Sequence, residues 1–501
     1  MTMNCRNGFS LLEPHVCTLD PSLQPPPKPS YPVDEVISQN NDPPVDVGQK
    51  RKAESVSETN GHTEKRPRTE PEPEKIEVED SVEAPKATEK PPQPPSDPVT
   101  TADPTKKPKG RRLPGPADET TDPEAIQMLV AHETEVFVCS WNPVTPELLA
   151  TGSKDAIVHY WDVPITPEDG HAPPCTEPPR KLAYFAKPGE ADLTSLDWNC
   201  DGTLLAIGSY DAILRVCHRS GALHYFDQKH KGPIFATRFS KSGRWLLTAS
   251  LDGTTCVWDI VQKKLHRQYR CHLDCCLDID WLDETTFASC GADKLIHVLT
   301  LTDPKPIRTF TGHANEINQI KCNPSRTRLA SCSDDRTARI WNVENITNPS
   351  PEDIPGLLSS SEVVVLKGHK NAVSSIGWCP VTAKGQNELL ATSGFDGTAR
   401  LWDSVTGDCL KIFQDHKRPV YALTFSPNGR WLATGSGDGW LHVYDVKEVV
   451  KKWSWYAGSE KPGVYEIDWQ QVGKTSRIAL ALESRSVAVI DATRIPAIRE
   501  S

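Results

Sequence analysis

The stretch His313-Ala314-Asn315-Glu316-Ile317 runs on through Ile320 and a turn at Pro324 to Leu329-Ala330-Ser331-Cys332-Ser333-Asp334-Asp335, and closes with Ala338-Arg339-Ile340-Trp341. It is one copy of a repeating unit. A second copy starts at His230, passes Leu246-Leu247-Thr248-Ala249-Ser250-Leu251-Asp252-Gly253 and ends at Trp258. A third starts at His416, passes Leu432-Ala433-Thr434-Gly435-Ser436-Gly437-Asp438-Gly439 and ends at Tyr444. In all three, 28 residues separate the histidine from the closing aromatic. Three further copies run from His132 to Trp161, from His272 to about Leu299, and from His369 to Trp402, the last lengthened by a loop around Ala383–Asn387. Two are degenerate: one runs from Leu193 through Trp198 and Asp211 to Cys217 without a leading histidine, the other from Val464 through Trp469 to Val489. The total is eight.

Each unit holds apolar or alternating runs of four to six residues that stop at Gly, Asp, Pro or Asn turns, the pattern of short antiparallel strands. A sheet of four such strands has two apolar faces and cannot stand alone, so neighbouring units must cover them. Closing the stack into a ring leaves only short edges. The sequence therefore predicts an all-β, eight-bladed propeller over residues 125–491. The Asp–Gly pairs at 252–253, 396–397 and 438–439 fall where a tight hairpin needs a residue tolerant of positive φ. The run Ala125-Ile126-Gln127-Met128-Leu129-Val130 has no preceding strands of its own. It is expected to supply the outer strand of the eighth blade and so to clasp the ring shut.

Residues 1–120 differ sharply. They hold 22 of the chain's 44 prolines, no tryptophan, and only Phe9 and Tyr31 as aromatics. Such a segment buries too little apolar surface to offset its chain entropy, so a disordered tail is expected. Three basic clusters lie within it: Lys50-Arg51-Lys52, Lys65-Arg66-Pro67-Arg68, and Lys106-Lys107-Pro108-Lys109-Gly110-Arg111-Arg112. Short Lys/Arg runs on a flexible chain suit capture by an import receptor, which predicts a nuclear protein. The net charge of -11 argues against a DNA-coating surface, so no specific nucleic acid is expected. Fifteen cysteines, spread singly through the strand-like runs, suit a reducing compartment. No stretch of eighteen apolar residues occurs, so no membrane partner is expected either.

The chemistry-bearing residues fall on the repeat rather than on a catalytic constellation. There is no phosphate-binding glycine loop, no G-x-S-x-G elbow and no H-E-x-x-H helix. The reading is a non-enzymatic protein without a cofactor. His272, Cys275 and Cys276 have the right chemistry for zinc, but adjacent strand residues face opposite ways, so the two thiols do not converge. Binding should lie where the blades differ. The residue before each turn aspartate varies among Lys154, Tyr210, Leu251, Ala292, Asp334, Phe395 and Gly437. Tyr210, Leu251 and Phe395 are expected as exposed anchors on the loop face, with Lys294 and Arg336 supplying charge. Trp431 fills a core strand position, whereas Trp440, after Asp438-Gly439, is expected to be partly exposed.

The recurrent His, Ser/Thr, Asp and Trp resemble WD repeats. That resemblance implies a hydrogen-bonded chain from Trp341 to Ser331 to His313 to Asp335, repeated as Trp258, Thr248, His230 and Asp252, with the histidines structural. A narrower likeness rests on Glu135-Val136-Phe137-Val138-Cys139-Ser140-Trp141-Asn142-Pro143 and on Asp192 through Asn199. It continues in Gly202-Thr203-Leu204-Leu205-Ala206, Gly208-Ser209-Tyr210-Asp211, His230 through Ala236, Thr286-Phe287-Ala288-Ser289-Cys290, Gly312-His313 with Glu316-Ile317-Asn318, and Leu329 through Asp335. These resemble the transducin-beta-like family of corepressor WD proteins over residues 125–491, the histidine-free second repeat and the irregular last one included. The resemblance implies a nuclear scaffold that holds a corepressor platform protein and a histone deacetylase, with histone tails as a further partner. The family's N-terminal LisH dimerisation helix has no counterpart in residues 1–30, which soon reach Pro25-Pro26-Pro27. Either that module has been lost or the N-terminal part is incomplete, and the expectation of self-association lapses. Two other readings stay open: a substrate-recognition adaptor of a ubiquitin ligase, and a general WD-repeat signalling scaffold.

Overall fold

The computed structural model describes residues 121–165, 175, 177–182, 184, 191–347, 363–382 and 386–499. The basic clusters and residues 1–30 lie outside these. The described residues form eight four-stranded antiparallel sheets, and consecutive strands make up every sheet but the last. The innermost strands of blades 1 to 8 are Val136–Trp141, Leu193–Trp198, Ile234–Phe239, Cys276–Trp281, Ile317–Cys322, Val373–Trp378, Val420–Phe425 and Val464–Val472. Each touches the next, and the eighth touches the first, so the ring is closed.

Closure uses the first strand of the chain. Ile126–Val130 pairs antiparallel with Ser486–Asp491, from Ile126 opposite Ile490 to Val130 opposite Ser486. Ala125 belongs instead to a short 3-10 turn, Pro123–Ala125. Two contacts pin the clasp outside the ladder: the Trp453 indole donates to Thr121 Oγ1 at 3.0 Å, and Arg494 pairs with Asp122. The eighth blade also runs past Asp491, since Ala492, Ile495 and Ile498 are buried in its core.

The core is not one mass. Eight apolar clusters form; seven draw residues from two adjacent blades, and one reaches from blade 1 to blade 4 through Phe137, Phe235 and Leu277. At the clasped seam, for example, Leu129, Ala479 and Val487 pack with Val136, Trp141 and Trp161. This is the two-sided burial that a sheet with two apolar faces demands. Carboxylates stitch several seams nearer the axis. Asp197, Asp280 and Asp468 each accept the backbone N–H of the next blade's innermost strand, from Phe239 (2.6 Å), Cys322 (2.7 Å) and Trp141 (2.7 Å).

A bulge repeats in all eight innermost strands, always just after the first residue. The inserted residue breaks the in–out alternation, so second-position side chains from different blades meet across the mouth of the channel. Phe137 and Tyr421 both pack on Tyr465, with ring centroids 5.5 and 6.0 Å apart.

Candidate protein-binding face

Six blades carry a buried His–Asp pair. Nδ1-to-carboxylate distances are 3.0 Å for His132–Asp155, 3.1 Å for His230–Asp252, 3.0 Å for His272–Asp293, 2.8 Å for His313–Asp335, 3.1 Å for His369–Asp396 and 3.2 Å for His416–Asp438. Donor logic orders the rest. An ionised carboxylate only accepts, so Nδ1 carries the proton and Nε2 must accept. In blade 5 it accepts from Ser331 Oγ at 2.8 Å, and that oxygen in turn accepts the Trp341 indole N–H at 2.9 Å. Thr248 and Trp258 repeat this on His230 at 2.7 and 2.9 Å. Burial pushes the Asp335 carboxyl up, but hydrogen bonds from His313, the Thr337 hydroxyl and the Ala314 N–H outweigh it and hold it well below the usual range. Burial also lowers the His313 pKa against the pull of Asp335, so the imidazole stays neutral. With both ring nitrogens spent, these histidines do framework work.

Two blades solve the same problem otherwise. In blade 2, Arg215 replaces the histidine and binds Asp211 at 2.7 Å. In blade 8, the register positions of the serine and the tryptophan hold Leu480 and Ile490, both fully buried, so no polar chain has to be satisfied there. In blade 4, His272, Asp293 and His297 bring ligand atoms within 4.8 Å of one another. His272 uses both nitrogens there, on Asp293 and on Ser289, and Cys275 and Cys276 take no part, as strand alternation requires. All thirteen described cysteines are free.

In each blade, the backbone N–H before the turn aspartate, or its counterpart in blade 8, donates to the carbonyl just ahead of the innermost strand. Examples are Tyr210 to Asp192 (2.9 Å), Leu251 to Pro233 (2.9 Å), Asp334 to Glu316 (3.0 Å) and Phe395 to Ala372 (2.9 Å). The variable turn residues therefore ring the channel mouth. Tyr210, Leu251 and Phe395 are half-buried rather than exposed. Tyr210 packs edge-on against Phe235 at 6.3 Å and Phe395 against Tyr421 at 6.3 Å, because the bulged second-position side chains rise to meet them. Tyr210, Leu251 and Ala292 form a continuous apolar ridge over Phe235 and Leu277, while Phe395 stands apart on blade 6. Trp431 is buried, and Trp440 is half-buried against Tyr456 at 4.8 Å.

Lys294 and Arg336 are exposed, and both have left-handed backbone, φ 69° and 70°. The same turn position holds Gly253, Gly397 and Gly439 at φ 75–80° in blades 3, 6 and 7. Glycine meets no Cβ penalty there, whereas other residues pay about 1 kcal/mol. Lys294→Gly and Arg336→Gly should each stabilise the fold by about 1 kcal/mol, read as a higher urea midpoint. A loss of stability would mean that these side chains serve the fold rather than the surface.

Two acids at the mouth belong to no motif of the sequence. Burial, reinforced by Glu135 and opposed by Lys154, raises Asp192 to about 7. Burial, with Asp334 and Asp274 beside it, raises Glu316 to about 7. Their signal lay in the repeat itself, where the residue heading each innermost strand is Glu135, Asp192, Pro233, Cys275, Glu316, Ala372, Pro419 or Gly463.

These acids oppose the histidines that burial shifts the other way, three of them strongly. Burial lowers His159 and His442 to about 3 and His297 to about 4. As pH falls below about 6.5, the unfolded chain takes up protons at these rings and the folded chain does not, which costs stability. Asp192 and Glu316, together with Asp468 at about 6, take up protons only in the folded state over the same range, which restores it. Asp192→Asn combined with Glu316→Gln should lose about 2 kcal/mol more than the wild type between pH 6.5 and 5, measured by urea unfolding at successive pH values. Parallel curves for the two proteins would contradict this balance.

The repeat matches the family model described as WD domain, G-beta repeat, at residues 123–162, 183–218, 223–259, 304–342, 360–403 and 407–445. It passes over blade 4, which closes on Leu299, and blade 8, which lacks the histidine. The F-box-like/WD repeat-containing protein TBL1X of Mus musculus is 37% identical over 374 residues, 75% of this chain and 68% of the relative. The chain belongs to the TBL1 family. The chain is also similar to the WD40 repeat-containing protein HOS15 of Arabidopsis thaliana, 33% identical over 374 residues, 73% of this chain and 58% of that protein. The fold also matches the crystal structure of the C-terminal WD40 domain of Sif2, with a TM-score of 0.59 and 20% identity over 73% of this chain and 98% of that one. The TBL1-family propeller is thus a WD-repeat scaffold whose framework histidines are committed and whose mouth residues vary from blade to blade.

Proposed function

We propose that this chain is a non-enzymatic interaction subunit of a nuclear histone-deacetylase corepressor complex and regulates transcription. What carries the reading is its family membership at 37% identity over three quarters of the chain, together with the sequence likeness of its irregular second and eighth blades to corepressor WD proteins. The His–Asp pairs are sealed in hydrogen-bonded chains, so the chemistry left for function is recognition at the mouth. A corepressor platform protein and a histone deacetylase are the expected partners, and histone tails suit the chain's net charge of -11. The clusters at Lys50–Lys52, Lys65–Arg68 and Lys106–Arg112 would carry it into the nucleus.

Affinity purification of the tagged full chain from nuclei tests this. Recovery of deacetylase and corepressor platform subunits supports it. Cullin subunits in their place would favour a ubiquitin-ligase adaptor, the reading to which the relatives' designation as F-box-like gives weight. Neither set would leave a general signalling scaffold. A tagged protein that stays cytosolic with its basic clusters intact would defeat the nuclear assignment.

A further inference from the structure

Among the six framework pairs, that of blade 4 has kept least of its surroundings. Around Asp335 in blade 5, the residue two before the turn aspartate, the residue two after it and the closing aromatic are Ser333, Thr337 and Trp341. Around Asp293 in blade 4 they are Gly291, Leu295 and Leu299, whereas each of the other pairs keeps at least one of the three types. Each loss takes away a competitor. The Thr337 hydroxyl donates to Asp335 Oδ1 at 2.6 Å, while Leu295 offers Asp293 Oδ1 only a backbone N–H at 3.2 Å. The Trp341 indole fills Ser331 Oγ, while blade 4 closes on Leu299 and has no indole for Ser289, whose Oγ lies 2.9 Å from His272 Nε2. A Cβ at Gly291 would press on Cys275 O and lie 3.2 Å from His272 Nδ1, so glycine keeps that nitrogen's flank open. What blade 4 gains is His297, 6% exposed, with its ring 4.7 Å from that of His272. Its Nδ1 meets Thr309 Oγ1 at 2.9 Å, and its Nε2 is buried with no hydrogen-bond partner. A buried nitrogen left unmet weakens a fold and needs a reason for being there. One ligand atom each from His272, Asp293 and His297 lies within 4.8 Å of the other two. Among the described residues, no other three His, Cys, Asp or Glu side chains are so placed.

We propose that blade 4 binds a divalent ion of the zinc class through His272 Nδ1, the Asp293 carboxylate and His297 Nε2, with solvent in the fourth position. In this structure the Nδ1 proton of His272 bridges to Asp293, whose two oxygens both lie at 3.0 Å. A metal cation takes that proton's place. The imidazole keeps its one proton by moving it to Nε2, where Ser289 Oγ accepts it. Thr309 holds the far nitrogen of His297 in the same way. Each ligating ring then has its other nitrogen anchored, which orients a metal-bound histidine and raises its basicity. Two neutral imidazoles and one carboxylate suit zinc and its transition-metal neighbours, whereas calcium and magnesium want oxygen. Metal–ligand bonds of about 2.0–2.2 Å require the widest pair to draw in by at most about 1.5 Å, which small rotations of the two imidazoles supply. The ion ties the residue ahead of the innermost strand to the turn Gly291–Leu295 and to strand Ile296–Thr300, in place of the missing hydroxyl and indole. Cys275 and Cys276 stay outside the set. Nothing in this inference rests on the corepressor reading.

The test titrates the chelator-stripped full chain with Co²⁺ and follows the visible absorption of a four-coordinate nitrogen–oxygen site. The bands should saturate at about one ion per chain and vanish when Zn²⁺ displaces the cobalt. His297→Phe should abolish them and weaken binding at least about 100-fold, and Ser289→Ala should weaken it about tenfold. Zn²⁺ should raise the melting temperature of the wild type and leave that of His297→Phe unchanged. His297→Gln provides a second variant, read in the same way, if phenylalanine disturbs the packing against His272. His159→Phe removes the matching second histidine of blade 1, where Trp161 still caps Thr151, and should bind Co²⁺ as the wild type does. Bands that survive in both His297 variants would overturn the proposal. So would thiolate-to-cobalt charge transfer lost in Cys275→Ser or Cys276→Ser, equal loss in His159→Phe, or a full chain that takes up no cobalt. The purification from nuclei reads a different property, so either result stands without the other.

Discussion

Deleting residues 1–130 is expected to abolish the cooperative unfolding transition, while deleting residues 1–120 leaves the melting temperature of the propeller unchanged. The ten residues between these endpoints carry the clasp. Strand Ile126–Val130 supplies a complete set of antiparallel pairs to Ser486–Asp491. It buries Leu129 to 3% exposure between blades 8 and 1, and Ala125 to 2% under blade 8. Loss of the leucine alone costs about 2–3 kcal/mol by area burial. Removing the strand also bares the last blade's edge, strips the Trp453 indole of Thr121, and leaves Arg494 without Asp122. A buried donor left unpaired adds about 1–3 kcal/mol. The sum approaches the whole stability of a typical domain, about 5–15 kcal/mol. Because each blade is covered only by its neighbours, an opened eighth blade also uncovers the seam to the first. Thermal melts followed by circular dichroism distinguish the outcomes. A 131–501 fragment that melts as sharply as a 121–501 fragment would show that the ring holds without its clasp.

The blade count and the clasp were legible because the chain repeats itself, so its eight units serve as an internal alignment. Positions whose residue type changes from unit to unit were harder to place. Arg339 and Arg400 illustrate this. Each lies over a blade's closing tryptophan, 5.9 and 6.0 Å from the Trp341 and Trp402 rings. A Cβ at Gly312 would lie 2.6 Å from Arg339 Nη1, and one at Gly368 would lie 2.3 Å from Arg400 Nη1, so glycine precedes the framework histidine in these two blades. Where a second histidine takes the arginine's place, as His159, His297 and His442 do, the preceding residue is Ala131, Cys271 or Asp415. The letters were visible, but the reason for their pairing was not.

The mouth was legible only in part, for a related reason. Tyr210 and Phe395 read as exposed because residues in turns ordinarily face solvent. The bulge that lifts Phe235 and Tyr421 against them is a register shift with no composition of its own. Asp192 and Glu316 carry no signal of their own in the chain, since nothing in a linear pattern shows that Asp334 and Asp274 crowd the second of them. Residues that break a local rule without visible compensation are where function is to be sought, and the acids of the mouth are such residues.

Removing one framework histidine gives the second large effect. His313→Ala is expected to cost about 3–5 kcal/mol, because it strands an ionised Asp335 in the interior. Asp335 would keep the backbone N–H groups of Ala314 and Thr337, at 2.9 Å each, and the Thr337 hydroxyl at 2.6 Å, but would lose its nearest side-chain donor outside the turn. Ser331 would lose its acceptor and Trp341 the far end of its chain. Replacing both partners removes the stranded charge as well as the pair. His313→Ala with Asp335→Ala should therefore cost less than the sum of the two single changes, by about 1–3 kcal/mol in a double-mutant cycle read by urea unfolding. Blade 2 shows that a different donor can serve: Arg215 holds Asp211 at 2.7 Å with both side chains largely buried. What blade 5 needs is a donor for its aspartate, not a proton carrier. Additive costs, or a single-mutant cost below about 1 kcal/mol, would mean that solvent satisfies Asp335 and that packing alone holds the blade.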